Sequence, residues 1–245
     1  MVPNPDLLID QLKLKRPLIG IYDAPANSGF EPVMEPDPEK RNVCIYSFFQ
    51  DWMAGRTLHL SPNGYGCGGG GYWMFGISAK SPRVFSKFLV ETEGLKYSTQ
   101  FMSQWLKNEK PYSPQHGHLY IGPLRDQCFN YLKSITFMVN PDQLSLLVNG
   151  AQYYHDPNDP IPPVISSFGS GCRQMLSMFE DSDQAQAVIG ATDIPVRRFL
   201  PPNILAFSVT VPMFQLLCSL DEQSFLFKLS AQSLQKARGE RIFGK

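Results

Sequence analysis

Two cysteines of this chain share an unusual setting. Cys67 lies in "SPNGYGCGGGGYWMFGI" (61–77), with Gly64 and Gly66 before it and Gly68, Gly69, Gly70 and Gly71 after it. Glycine in an ordered element costs about 0.5–1 kcal/mol relative to alanine. Six of them around one thiol make either a flexible linker or a backbone held close to something. Cys172 closes "GSGC" (169–172), between an apolar run and the segment "RQMLSMF". Both cysteines are therefore expected at helix starts, where free N–H groups and partial positive charge favour the thiolate. A thiolate attacks electrophiles and ligates metals, and bare glycine backbone lets a ligand approach.

On this basis Cys67 and Cys172 are candidate catalytic thiols. Cys44, at the head of an amphipathic segment, completes a candidate metal set of Cys44, Cys67 and Cys172. Gly66, Gly68, Gly69, Gly70, Ser170, Gly171 and Arg173 are candidate ligand-binding residues. Cys128, in "RDQCFNYL", and Cys218, on an apolar helix face, read as packing residues.

Several familiar chemistries are excluded by spacing. No GK[ST] follows the glycines, and no GxGxxG is followed by an acidic residue about 20 positions on, so the usual nucleotide loops are absent. No CxxC occurs, which removes the common zinc-ribbon and ferredoxin patterns. If the three dispersed cysteines converge, they suit a metal or iron–sulfur centre with one open position. If only two converge, with Cα atoms within about 7 Å, they suit a thiol–disulfide pair. His116 and His118 in "HGH" are a second place for a metal, and His59 is a candidate base for Cys67. The same loops without thiol chemistry would cradle an anion, with Arg173, Arg197 and Arg198 supplying charge.

The elements that must position these residues are legible in outline. Residues 5–13 read as a helix, "RPLIGIYDA" as a strand, 25–42 as an exposed loop, and "VCIYSFFQDWMAG" as a helix capped by Gly55. "TLHLS" is a short strand, the glycine run a loop, and "GYWMFGIS" the opening of the next helix. Residues 82–108 are helical with a break near Gly94, and "PYSPQHGHLYIGP" is a turn-rich connector. "SITFMVNPDQLSLLVNGAQYY" reads as strand, proline, helix, and "ILAFSVTVPMFQLLCSL" repeats that order. "QAVIGATD" is a further strand, and "DEQSFLFKLSAQSLQKARGE" a helix ending on cations. The expected fold is α/β (or α+β), a single domain over 1–245 with a mixed sheet, packed helices and two related halves.

Bulk properties agree with that reading. The 245 residues are 43% hydrophobic and 18% charged, an ordinary globular composition. Lys+Arg and Asp+Glu are both 22, so no net charge draws the chain to nucleic acid or to an anionic membrane. No apolar run approaches the ~18 residues that span a bilayer, and the N-terminus lacks the pattern of a secretory signal. Five scattered cysteines then suit a reduced, cytoplasmic setting. The expected partner is a small-molecule ligand, with no nucleic acid and no membrane. Two alternatives stand beside it: a non-catalytic anion or small-molecule binding module, and a homo-oligomer built on Tyr72, Trp73 and Phe75 with structural cysteines.

Taken in order, "LLIDQLKLKRPLIGIYD", "VCIYSFFQDWMAGRTLHLSPNGYGCGGGGYWMFGI", "SITFMVNPDQLSLLVNGAQYY", "SGC" and "ILAFSVTVP" resemble the domain of unknown function 169 family of bacteria and archaea. The resemblance runs over nearly the whole chain and is most specific at 67–77. It implies a triplet of cysteines, here Cys44, Cys67 and Cys172, and a single cytoplasmic domain. It implies no activity and no substrate.

Overall fold

Short apolar runs alternating with amphipathic segments build one mixed sheet with helices on both faces. The structure is a computed structural model that describes residues 3–31, 33–37, 43–77, 82–166, 171–176 and 183–242. In chain order α1 (Asp6–Gln11) precedes β1 (Ile19–Asp23) and β2 (Val33–Met34). A 3-10 turn at Ile45–Phe48 runs into α2 (Phe49–Met53), followed by β3 (Thr57–Leu60), α3 (Gly68–Phe75), α4 (Pro82–Glu91) and α5 (Thr99–Asn108). Next come β4 (Leu119–Pro123), β5 (Leu132–Val139), α6 (Pro141–Tyr153), β6 (Val164–Ser166) and α7 (Gly171–Met175). The described chain closes with β7 (Ala187–Gly190), α8 (Ile194–Arg197), β8 (Leu205–Thr210), α9 (Val211–Cys218) and α10 (Leu229–Ile242).

The eight strands lie in the order β2-β3-β4-β1-β5-β8-β7-β6. The outermost pairs, β2 with β3 and β6 with β7, are parallel, and the inner pairs are antiparallel. Because side chains alternate along a strand, the sheet divides the apolar residues into two cores. One face carries Tyr22, Ile135, Phe137 and Phe207 under α1, α6 and α9. The other carries Ile21, Leu58, Leu60, Ile121 and Met138 under the 3-10 turn, α2, α3 and α7. Two of the three candidate metal-binding cysteines are on this second side, where Cys172 is buried and Cys44 packs against the core.

The repeated strand–proline–helix unit sits at the centre of the sheet. Phe137 pairs with Phe207 across β5 and β8. Three residues beyond each phenylalanine stands a helix N-cap, Asn140 or Thr210, and a proline follows within the first two helical positions. The two copies are thus related by a local two-fold through the phenylalanine pair, whose rings meet edge-on at 6.4 Å. Asn140 accepts from the Gln143 N–H at 2.9 Å, and Gln143 Oε1 accepts from the Asn140 N–H at 3.0 Å. This capping box is worth about 1 kcal/mol. Thr210 caps α9 by accepting the Met213 N–H at 3.3 Å.

Three expectations need correction. The connector "PYSPQHGHLYIGP" contains β4, which lies between β3 and β1. The exposed loop 25–42 contains β2 at the sheet edge. The glycine run is not a loop, because Gly68, Gly69, Gly70 and Gly71 form the first turn of α3.

Candidate functional site

The helical glycines are explained by what covers them. A Cβ on Gly70 would come within 2.7 Å of the Tyr65 carbonyl oxygen, and one on Gly71 within 2.5 Å of the Tyr65 ring. The segment leading into α3 folds back over its own helix, so a side chain at either position would collide with it. Gly66 adopts φ +81°, and a Cβ there would lie 2.6 Å from the Val43 carbonyl oxygen. That close approach sets the turn carrying Cys67 against the residue before Cys44. Gly68 is different, since a Cβ there would meet nothing within 4 Å. Cys67 is the N-cap of α3 and makes no side-chain capping bond, and the first backbone bond runs from the Gly71 N–H to the Cys67 carbonyl at 3.0 Å.

The third cysteine arrives from the other half of the chain. Helix α7 packs against α3. Its first residue, Gly171, lies against Tyr46: a Cβ would be 2.6 Å from the Tyr46 ring and 3.3 Å from Val196. The Gly171 N–H donates to Asp193 Oδ2 at 3.2 Å. Four helix starts therefore pack together at one corner. Cys44 opens the 3-10 turn, Cys67 opens α3, Cys172 is the second residue of α7, and Asp193 is the N-cap of α8.

The electrostatics of the corner reflect this convergence. Burial pushes the Cys172 thiol well above its ordinary value, and the neighbouring Cys67, Cys44 and Asp193 push it further. Cys44 is pushed up to about 12, by burial first and Cys67 next. Asp193 rises to about 7 through burial, against the lowering effect of the Gly171 N–H. The thiolate expected from a helix start thus does not hold for Cys172. Its helix has only five residues, and loss of hydration outweighs the small helix field. Two further polar atoms, Tyr46 Oη and Asp193 Oδ1, are buried without a hydrogen-bond partner. A buried polar atom left so costs about 1–3 kcal/mol. Among the described residues no group of three or more His, Cys, Asp or Glu side chains is placed to hold a metal ion.

Other residues singled out from the sequence fall as follows. Ser170 lies outside the described residues. Arg173 is buried and pairs with Glu109, its Nε donating to Oε2 at 3.1 Å. Its guanidinium also lies over the Trp105 and Trp73 rings, at 5.0 and 5.6 Å. Arg197 donates to backbone carbonyls, including that of Pro202 at 2.8 Å, and Arg198 lies over Phe199. Trp73 is fully buried, so it offers no surface to a second copy. Cys128 is buried in the core of the opposite face, and Cys218 packs against that core. His59 cannot serve Cys67: Leu58 and Leu60 on either side of it enter the core that holds Cys172, so His59 projects from the other face. There its Nδ1 donates to Glu35 at 2.7 Å and its Nε2 meets His118 Nδ1 at 3.0 Å. Asp193 and Tyr46 were not singled out from the sequence. The one local signal was Asp193-Ile194-Pro195, an acidic N-cap residue with proline just inside a helix.

The architecture defines an α/β protein built on one eight-stranded mixed sheet. The chain matches the domain of unknown function 169 family, described as uncharacterised ArCR, over residues 7–219, and it belongs to that family. No curated protein and no solved structure matches it. Among the described residues no helix is long and apolar enough to cross a membrane.

Proposed function

We propose that the protein holds a redox-active metal centre, an iron–sulfur cluster, on Cys44, Cys67 and Cys172. What supports this reading is that the turns carrying the three cysteines pack together, Gly66 on Val43, α3 on α7 and Gly171 on Tyr46, at a corner with unpartnered buried polar atoms. Thiols that raise one another's pKa are poor neighbours as anions until a cation lies between them. A cluster of iron and sulfide supplies that cation and stabilises the thiolate form.

A cluster fits better than a lone ion. A tetrahedral zinc needs every sulfur about 2.3 Å from one point, and among the described residues no group of three or more His, Cys, Asp or Glu side chains is placed to hold a metal ion. A polynuclear cluster spreads its thiolates over separate corners. Three cysteines would leave one corner for another ligand. The open backbone at Gly68, next to Cys67, would provide an N–H group of the kind that tunes cluster potentials. Arg173, bound to Glu109 and two indoles, would act as a strut between α7 and the α3–α5 side rather than as a ligand. A reduced compartment, the cytoplasm, suits such thiols. A second reading, an anion held by the uncapped start of α3, is favoured by the open space at Gly68.

The test is anaerobic purification followed by iron and sulfide analysis and a visible spectrum, for wild type, Cys67→Ser and Cys128→Ser. Stoichiometric iron with sulfide in wild type and Cys128→Ser, lost in Cys67→Ser, is the expected result. Wild-type protein that takes up neither iron nor any other metal on reconstitution would leave only the anion reading.

A further inference from the structure

We infer that Glu35, His59 and His118 form a proton relay that presents the outer ring nitrogen of His118, Nε2, as a nucleophile for activated acyl groups such as aryl esters. His59 projects from the face of the sheet opposite Cys172, and the inference does not depend on the iron–sulfur reading.

The three side chains come from three adjacent strands. Glu35 follows β2, His59 lies on β3 and His118 precedes β4. His59 Nδ1 meets Glu35 Oε1 at 2.7 Å, and His59 Nε2 meets His118 Nδ1 at 3.0 Å. A carboxylate only accepts, so the proton of the first contact is on His59 Nδ1. Neutral His59 then carries a lone pair at Nε2, and the proton of the second contact is on His118 Nδ1. His118 Nε2 is left with its lone pair and with no partner among the described residues. The chain of bonds thus assigns both tautomers from the carboxylate outward.

The rings are held at both ends of the relay. His59 is only 14% exposed and stacks on its cross-strand partner Tyr120, whose ring stacks on Phe30 at 4.3 Å. The loop carrying His118 is pinned two residues earlier, where buried Asp23 accepts the Gln115 and His116 N–H groups. The Ala24 N–H also donates to the His118 carbonyl at 3.3 Å. His116 rests its own Nδ1 on Asp23 at 3.2 Å, but that carboxylate already accepts three other hydrogen bonds and has little capacity left for a further proton.

In the reaction His118 Nε2 attacks the acyl carbon, and the bond from that carbon to the leaving oxygen breaks, releasing an oxyanion. The acylated ring is cationic and passes its Nδ1 proton to His59 Nε2. His59 becomes an imidazolium held by the Glu35 carboxylate. Water then adds to the acyl carbon and the carbon–nitrogen bond breaks. His59 returns its proton to Nδ1 of the departing ring, and both protons of the water go to solvent as the acid leaves as a carboxylate. His118 is the catalytic residue, and His59 and Glu35 are positioning residues.

The test has a spectroscopic and a chemical arm. Nitrogen magnetic resonance of the wild-type imidazoles is expected to show His118 protonated at Nδ1 and bare at Nε2, and a proton on Nε2 would overturn the relay. Diethyl pyrocarbonate, an activated acyl compound, should modify His118 about tenfold faster than the half-buried His155, which lies outside the relay. Glu35→Gln keeps an acceptor but removes the charge, and Glu35 is 68% exposed, so the fold is not at risk. That variant and His59→Phe, which retains a ring on Tyr120, should each slow His118 modification about tenfold. Release of nitrophenolate from p-nitrophenyl acetate should be lost in His118→Ala and kept in Cys67→Ser. A His118 that reacts no faster than His155, or is indifferent to Glu35→Gln, refutes the inference. So does ester cleavage that disappears in Cys67→Ser instead, since the nucleophile is then the thiol.

Discussion

The cysteine corner and the histidine edge of the sheet are both polar clusters set against a core, and they differ in how completely they are satisfied. At the histidine edge Asp23 is fully buried, and its carboxylate accepts from Tyr112 Oη at 2.8 Å, the Gln115 N–H at 2.7 Å, the His116 N–H at 3.0 Å and His116 Nδ1 at 3.2 Å. His59 uses both ring nitrogens, on Glu35 and on His118, and stacks on Tyr120 at 4.7 Å. At the cysteine corner the Asp193 carboxylate keeps one oxygen idle, Tyr46 has no partner, and Cys67 caps nothing with its side chain. The first network has already exchanged its hydration for protein partners and so holds a shape. The second has given up hydration without full replacement, which is sustainable when a ligand completes it.

The largest effect that would separate the two regions is loss of the proposed metal centre. Cys67→Ser is expected to abolish bound iron and sulfide, whereas His59→Ala and His116→Ala should retain the full wild-type content. Iron lost from the histidine variants as well would mean that the two regions do not act separately. Next in size is stability. Asp23→Ala would strand two backbone N–H groups and take one partner from the Tyr112 hydroxyl, and is expected to destabilise by about 3 kcal/mol in denaturant unfolding with iron content unchanged. A cost below about 1 kcal/mol would show that water replaces the carboxylate easily and that the histidine edge is not a closed network.

A pair of tyrosines sharpens the comparison further. Tyr22 Oη accepts the Arg125 N–H at 2.8 Å, so Tyr22→Phe leaves that donor unpartnered and should cost about 1 kcal/mol. Tyr46→Phe removes a hydroxyl that has no partner, and in apoprotein should be neutral or stabilising by up to about 1 kcal/mol. Equal losses for both, measured on protein stripped of metal, would contradict the claim that Tyr46 is unsatisfied.

Much of the fold was legible because its signals are local. The strand–proline–helix units were recognisable since Asn140-Pro141 and Thr210-Val211-Pro212 state both the end of a strand and the start of a helix within a few residues. Strand β4 was hidden because its five residues end in Gly122-Pro123 and follow a run of turn formers. Only pairing on both sides makes them a strand. The cysteine triplet was visible by residue type and by resemblance. Asp193 was not, because a single aspartate carries no sign of the helix start it will face. The raised thiol pKa values of Cys44 and Cys172 were missed for a related reason: a sequence shows which residue begins a helix but not how much water that helix start retains.

The glycine run was misread because intrinsic propensity argues against four glycines in a helix, and the tertiary cover that overrides it lies outside the run. Its two ends should respond in opposite ways. Gly71→Ala forces the Tyr65 ring aside, since the new methyl would start 2.5 Å from it, and should destabilise by about 1 kcal/mol or more. Gly68→Ala meets nothing within 4 Å and replaces the poorest ordinary helix former by the best. It should stabilise the apoprotein by about 0.5–1 kcal/mol. If the proposed centre approaches the open backbone at Gly68, a methyl there would also stand in its way. Gly68→Ala is therefore expected to raise the unfolding midpoint of the apoprotein while slowing cluster assembly. Higher stability with unimpaired assembly would show that the backbone at Gly68 is not approached by the centre, and Gly66 would then be the glycine that brings Cys67 to it.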